Sequence, residues 1–286
     1  MTAGTNALPL AAARRPAAAA PRLAAAAREL WAYRDLLLNL VRRDLAVRYK
    51  RSALGFLWSF LNPLLMMLVF TVVFMVVKPM GVGNYPLFVL TGLLAWNFTA
   101  GSLSGAVRSI TSNASLIDKI YFPREVLPLA VVLANLVNFL FSLAVFLPLA
   151  FLFGVRFGWW ALALPVVIVV QVLLVSGLAL IVAALNVYYR DAEAVLDVAL
   201  TAWFFLTPVF WQLELLHNYP ILGVDVWRLE YMLNPMATLV TDYRYILLYH
   251  YPVIRHTLIA LALGVGLLLG GWALFRHWAP RFSEEV

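Results

Sequence analysis

The run FGWWALALPVVIVVQVLLVSGLALIVAALNVYY, Phe157–Tyr189, holds no Asp, Glu, Lys or Arg and exceeds the roughly 20 helical residues that cross a hydrocarbon layer of about 30 Å. A surface helix of a soluble domain needs a polar stripe, and this run has none. Working outward, comparable charge-free runs cover Ser52–Val77, Pro79–Val107, Val126–Val155 and His256–Phe275. A shorter one, Val198–Leu213, spans only by drawing in flanking residues such as Ala194 to Leu196. The pattern predicts an all-α membrane protein with six transmembrane helices, at about residues 54–77, 86–107, 126–153, 161–187, 194–213 and 256–276.

Composition excludes several other classes. Hydrophobic residues make up 64% and charged residues 12% of the 286, and the mean hydropathy is +0.89, too apolar for a soluble domain. The net charge of +7 raises the question of nucleic acid, but the basic residues sit in the wrong places for a nucleic-acid face. Nearly half of the 21 precede Ser52, and Arg108, Lys119, Arg124, Arg190, Arg276 and Arg281 fall in alternate loops or the tail. Lys78, Arg156, Arg228, Arg244 and Arg255 are left for the other side. The positive-inside rule then predicts a multi-pass membrane protein with both termini in the cytoplasm. Zero Cys rules out a disulfide framework and a thiolate metal site. The charge-free runs carry none of the carboxylates or Lys that ion relays need, so energy and chemistry are expected from another chain.

The connecting segments carry the remaining information. Residues 1–28, rich in Ala, Pro and Arg, read as a disordered tail and not as a cleavable signal peptide. Residues 29–51 read as an amphipathic interface helix ahead of a single transmembrane domain, 52–286. Its polar side gathers Asp35, Asn39, Arg42, Arg43, Ala46 and Lys50, while Asp44 and Arg48 interrupt the apolar arc and stand at the spacing of a helical pair. Such a helix anchors to anionic lipid or faces a partner subunit.

The loop Ser109–Arg124 reads as a short helix capped by Ser112 or Asn113 and ended by Pro123. Leu116, Ile117, Ile120 and Tyr121 share one face, with Asp118 and Lys119 on another. That face either docks in a groove of a soluble partner or packs on the chain's own helices. A second loop, Asn186–Glu193, places Arg190 and Asp191 at the membrane surface. The long segment from Gln212 to Arg255 contains two half-length stretches, Glu230–Leu233 and Pro235–Tyr249, broken at Asn234-Pro235, and predicts short re-entrant outer helices before the last span.

Aromatic residues are 14% of the chain and crowd the outer half. They offer flat apolar faces to sugar rings or a lipid carrier, and interfacial belts use the same residues.

Several of these segments together resemble the permease subunits of type-2 ABC exporters for polysaccharides, the family that exports O-antigen, capsular polysaccharide or teichoic acid. The resemblance rests on the amphipathic helix, on RYKRSALGFLWSFLNP (Arg48–Pro63), on Tyr121-Phe-Pro-Arg124, on NVYYRD (Asn186–Asp191), on TPVFW (Thr207–Trp211), and on Asn234-Pro235 followed by Tyr243-Arg244. It runs from about Arg28 to the C-terminus. It implies a homodimer with two ATP-binding-cassette subunits that hold Mg-ATP, and a lipid-linked polysaccharide as substrate. No cofactor or metal is implied in this chain, whose sequence has no Gly-x-x-x-x-Gly-Lys-Ser/Thr loop.

Carried onto this sequence, the resemblance implies a coupling helix to the ATPase at Ser112, Asn113, Leu116, Ile117, Asp118, Lys119, Ile120 and Tyr121. It implies an interface helix bearing Arg42, Arg43, Asp44, Arg48 and Lys50, and outer gate residues Asn234, Tyr243 and Arg244. Conduit aromatics would come from Phe56, Trp58, Phe60, Trp96, Trp203, Phe204, Phe205, Phe210 and Trp211. Two readings compete: a type-2 ABC permease for a small molecule such as a drug or haem, and a membrane-embedded enzyme on polyprenyl-linked sugars. The latter needs acids for metal or base chemistry, and Asp191, Glu193, Asp197, Glu214, Asp225, Glu230 and Asp242 form no recognisable metal-ligand motif.

Overall fold

The computed structural model describes residues 23–50, 55–77, 81–117, 119, 121–189, 191–218, 226–251 and 254–282, and among these every regular element is helical. Two helices precede the spans, α1 (Leu23–Ala32) and α2 (Arg34–Tyr49). The bundle consists of α3 (Trp58–Thr71), α4 (Tyr85–Ala106), the one-turn α5 (Ala114–Ile117), α6 (Val126–Leu152), α7 (Leu164–Tyr188) and α8 (Ala192–Leu206). Then come α9 (Val226–Leu233), α10 (Pro235–Arg244) and the closing α11 (Ile254–Trp278).

Five helices among the described residues are long and apolar enough to cross a membrane: Trp58–Met75, Tyr85–Ala106, Val126–Leu152, Trp159–Tyr188 and His256–Arg281. The stretch read as a sixth span falls on α8, which begins at Ala192 and is not among those five. Its 15 residues rise only about 22 Å before Thr207 turns extended. Helix α4 is central, buried along most of its length against α3, α6, α7 and α10, whereas α3 and α11 lie at the periphery.

Helix α2 lies against α6 with Leu40 and Val41 buried and Asp35, Asn39, Arg42, Arg43 and Lys50 exposed, while the apolar Leu38 and Val47 are exposed as well. Two details differ from the sequence reading. The segment is two helices with a break at Tyr33, and the first begins at Leu23, inside the stretch read as tail. The spacing of Asp44 and Arg48 suggests a helical pair, but Arg43 Nη2 takes the Asp44 carboxylate at 3.3 Å, because Arg48 turns inward and Nη1 donates to Asn135 Oδ1 on α6 at 2.9 Å. The buried Asn135 amide, already held by the Val131 and Gly101 carbonyls, offers Arg48 a fixed acceptor, and the Asp44 carboxylate is taken by Arg43.

Helices α7 and α11 pack along most of their length through glycines. A Cβ on Gly177 would lie 2.5 Å from the Leu267 carbonyl carbon, and one on Gly271 would collide with the Gly177 carbonyl. In lipid, where apolar surface gains little by leaving the solvent, close backbone approach is the main source of helix association. Gly177→Leu or Gly271→Leu should therefore destabilise the bundle by about 1–3 kcal/mol. A lowered thermal unfolding midpoint in detergent checks this, with Gly266→Ala, where a Cβ meets nothing within 4 Å, as the variant expected not to lower it.

Candidate functional site

Two constellations stand at opposite ends of the bundle. At the end that carries both described chain extremities, α4 runs into turns at Val107–Ile110 and Thr111–Asn113 and then α5. Ser112 and Asn113 do not cap α5 as predicted. Ser112 Oγ donates to the Arg108 carbonyl at 2.7 Å and Asn113 Nδ2 to the Ser109 carbonyl at 2.8 Å, which winds the segment back onto α4. Ile117 is buried among Leu40, Val41, Phe122 and Val126, with Leu116 packed partly against them. Leu116 and Ile117 of the loop's apolar face thus pack on the chain's own core, while Tyr121 of the same face does not. What it presents outward is Ser112, Lys119 and above all Tyr121, which is 86% exposed. Asp118 and Ile120 lie outside the described residues.

This loop is braced by charge. Arg276, on the last turn of α11, donates from Nε to Glu125 Oε1 at 2.6 Å and from Nη2 to Glu29 Oε2 at 2.5 Å. One guanidinium therefore joins α1, the start of α6 and the end of α11. Arg124 donates to the Ala279 carbonyl, and Arg108 pairs with Glu193 at the start of α8. A cavity of about 650 Å³ opens between these groups, lined by Lys119, Tyr121, Arg124, Glu125 and Arg276. The sequence gives no sign of the Glu29–Arg276–Glu125 cluster, because its members are far apart in the chain and only the fold brings them together.

At the far end, the break at Asn234-Pro235 is where the sequence puts it, and Asn234 is a junction. Its Oδ1 accepts from the Met236 and Ala237 amides at 3.1 and 3.3 Å, capping α10, and from Trp203 Nε1 at 2.8 Å. Its Nδ2 donates to Glu230 Oε1 at 2.7 Å and Thr207 Oγ1 at 3.2 Å. Burial raises the Glu230 carboxyl above the ordinary carboxylate range, and the bond from Asn234 opposes part of that rise.

Helix α10 is almost wholly buried. Tyr243 donates to Gln171 Oε1 at 2.8 Å, and Gln171 Nε2 passes the chain on to the Ala95 carbonyl and Thr99 Oγ1. Arg244, 3% exposed, spends its donors on backbone: Nε to the Phe88 carbonyl at 3.1 Å, Nη1 to Pro208 and Nη2 to Val209 at 2.6 Å each. Its guanidinium carbon stands 3.4 Å from the Phe88 ring centroid. Gly92 makes the approach possible, since a Cβ there would sit 2.7 Å from the Val209 carbonyl oxygen and 2.8 Å from Arg244 Nη2. Arg244 thereby fixes the TPVFW turn after α8 against α4.

The aromatic residues divide into three groups. Phe60 and Trp96 are buried in the core. Trp203, Phe204 and Phe210 are half-buried in a stack with Phe70, the Phe70–Phe210 centroids 5.1 Å apart and Trp96 edge-on to Trp203 at 5.7 Å. Trp58 and Phe205 face outward, Trp211 is half-exposed with Nε1 on the Phe205 carbonyl, and the Phe56 side chain lies outside the described residues. The exposed apolar face of α3, which includes Leu65, Leu68 and Val69, and that of α8, which includes Val198 and Phe205, meet no partner among the described residues.

A family model described as ABC-2 type transporter matches residues 35–248. The chain is 38% identical over 260 residues to an O-antigen export system permease protein, RfbA, of Myxococcus xanthus, covering 91% of this chain and 98% of that one. A protein of the same description from Klebsiella pneumoniae is 31% identical over 253 residues, 87% of this chain and 94% of the relative. The capsule polysaccharide export inner-membrane protein CtrC of Neisseria meningitidis serogroup B is 35% identical over 103 residues, 34% of this chain and 36% of that one.

Replacing Arg244 tests the far-end junction. Arg244→Met leaves three buried carbonyls without their donor and should cost on the order of 3 kcal/mol, read as a lowered unfolding midpoint. Arg244→Lys should not rescue it, because one ammonium cannot reproduce the planar fork that reaches all three oxygens.

Proposed function

The chain belongs to the ABC-2 type transporter family, and on that premise we propose that it is the membrane-spanning permease of an ATP-driven exporter that moves a lipid-linked polysaccharide out of the cytoplasm. The observation that carries this reading is near full-length similarity to O-antigen export permeases, joined to spans whose charge-free runs leave no residue for ion coupling. Energy then comes from a separate ATP-binding-cassette subunit that carries the Mg-ATP.

In this reading the end of the bundle with Tyr121 is cytoplasmic, and the exposed Tyr121 and Lys119 meet the ATPase. Closure of the ATPase pair pushes on a loop that the Arg276 cluster and the Arg108–Glu193 pair connect to α1, α6, α8 and α11. The push therefore moves several helix ends together. Two copies of the chain form the conduit, their exposed α3 and α8 faces turned toward each other. The half-buried aromatics of α8 offer sugar rings flat apolar faces, and Asn234, Tyr243 and Arg244 hold the outer end.

The coupling assignment is tested by Tyr121→Asp combined with Lys119→Ala. Both side chains are exposed, so the fold should stand, while recovery of the co-purified ATPase and polysaccharide on the cell surface should both fall at least tenfold. Normal export by this variant would overturn the assignment. The dimer is tested by single cysteines, since the chain has none of its own. Val69→Cys or Phe205→Cys should give a disulfide-linked pair in membranes, whereas Val166→Cys on the exposed side of α7 should not.

A further inference from the structure

A cavity of about 380 Å³ opens at the far end of the bundle, where three connecting segments converge: residues 81–83 between α3 and α4, residues 212–214 beyond the TPVFW turn, and residues 245–251 between α10 and α11. Phe88 and Leu213, both buried, back it, while Glu214, Tyr249 and Tyr251 are exposed at its mouth. The rings of Tyr245 and Tyr249 stand 5.7 Å apart at 60°, which makes a corner rather than a stack. Tyr245 donates its hydroxyl to Glu214 Oε1 at 3.0 Å, so the carboxylate is held at the mouth while Oε2 meets no described partner. The hydroxyls of Tyr249 and Tyr251 and the side-chain amide of Gln212 likewise bond no described residue.

The lining decides what chemistry fits. Arg244 is the cation in it, and each of its nitrogens already donates to a backbone carbonyl, so a phosphate finds no free positive partner there. A divalent cation needs six or more oxygens, and Glu214 supplies the lone carboxylate of the lining. Phenols, an amide and a carboxylate around tyrosine faces match a sugar, whose hydroxyls donate to the carboxylate and exchange bonds with the amide and phenols while its C–H side lies on a ring. The wall formed by Gly81 and Gly83 stands clear, since a Cβ on either would meet nothing within 4 Å. A tyrosine of an interfacial belt lays its ring in the membrane boundary, whereas these rings border a concavity with polar walls. The volume suits roughly one or two sugar units, and the exposed mouth lets a polymer run across the cavity with a unit seated in it.

We infer that this cavity binds a sugar unit of the exported glycan as the chain emerges, Glu214 and Gln212 taking its hydroxyls and Tyr249 and Tyr251 its ring face. The inference rests on the export reading and adds to it an exit subsite built from the outer connecting segments, separate from the half-buried aromatics of α8.

The test uses the permease–ATPase complex in phosphatidylglycerol nanodiscs, which present no ammonium group. The probe is lipid-free oligosaccharide cut from the surface polysaccharide of the cells that express the chain, with binding read by saturation-transfer NMR titration. The natural complex should bind it, and Glu214→Ala and Tyr249→Leu should each weaken binding about tenfold, the scale of one charge-assisted hydrogen bond or one stacked ring. Tyr251→Leu should weaken it several-fold. Glu214 and Tyr251 are exposed, so those two variants should keep the natural unfolding midpoint and stand as tests even if Tyr249→Leu disturbs its segment. Phosphoethanolamine, whose ammonium also suits tyrosine faces beside a carboxylate, should not displace the oligosaccharide at equal concentration. Absence of binding, unchanged binding in the variants, or displacement by phosphoethanolamine, which would make the cavity a site for lipid ammonium groups, would each overturn the inference. Deleting the gene for this chain separates the two readings. Surface polysaccharide that persists in the deletion strain removes the transport reading whatever the binding result, and polysaccharide lost there with unchanged binding in the variants removes the exit subsite alone.

Discussion

Inside a bilayer a polar group has no water to fall back on, and this constraint sorts the whole structure. The described helices satisfy their own backbones, but the places where the chain stops being helical expose carbonyls that must be met by side chains. Arg244 meets two of them, at Pro208 and Val209 in the turn after α8, and reaches the Phe88 carbonyl of α4 as well. Asn234 meets the opposite need at the start of α10, its Oδ1 accepting from the free Met236 and Ala237 amides, and Gln171 ties α7 to α4 and α10. Because each of these residues bonds several elements at once, the far end of the bundle is one connected body rather than a set of loops.

The two ends achieve cohesion by different physics. The far end uses buried neutral amides, one guanidinium on carbonyls and stacked rings, all insensitive to salt. The end with the chain extremities uses ion pairs at partial exposure, among them Arg276 with Glu29 and Glu125. Such pairs hold geometry at modest net gain in stability, and they exchange partners at little cost. An end that must follow a moving partner suits exchangeable contacts, and an end that must seal suits fixed ones.

Much of this was legible in the sequence because the signals are long or local. Charge-free runs mark the spans, the polar stripe of residues 35–50 marks the helix that lies on α6, and Asn234-Pro235 marks the break between α9 and α10. What was not legible depends on contacts across the fold. Ile117 reads equally as a docking knob or a core residue until Leu40 and Val41 are seen against it. Arg48 reads as the partner of Asp44 until Asn135 competes for it, and the conduit aromatics share one composition although Phe60 and Trp96 are buried while Phe205 is not. Periodicity identifies a face and cannot say what covers it.

The shortness of α8 has a bearing on the barrier itself. At about 22 Å it falls short of a hydrocarbon layer of about 30 Å. In the proposed dimer its exposed face, with Val198 and Phe205, meets the second copy, so the shortfall falls along the shared wall and not against lipid. The apolar barrier along that wall is then thinner than the bilayer around it, and the length of this one helix sets its thickness.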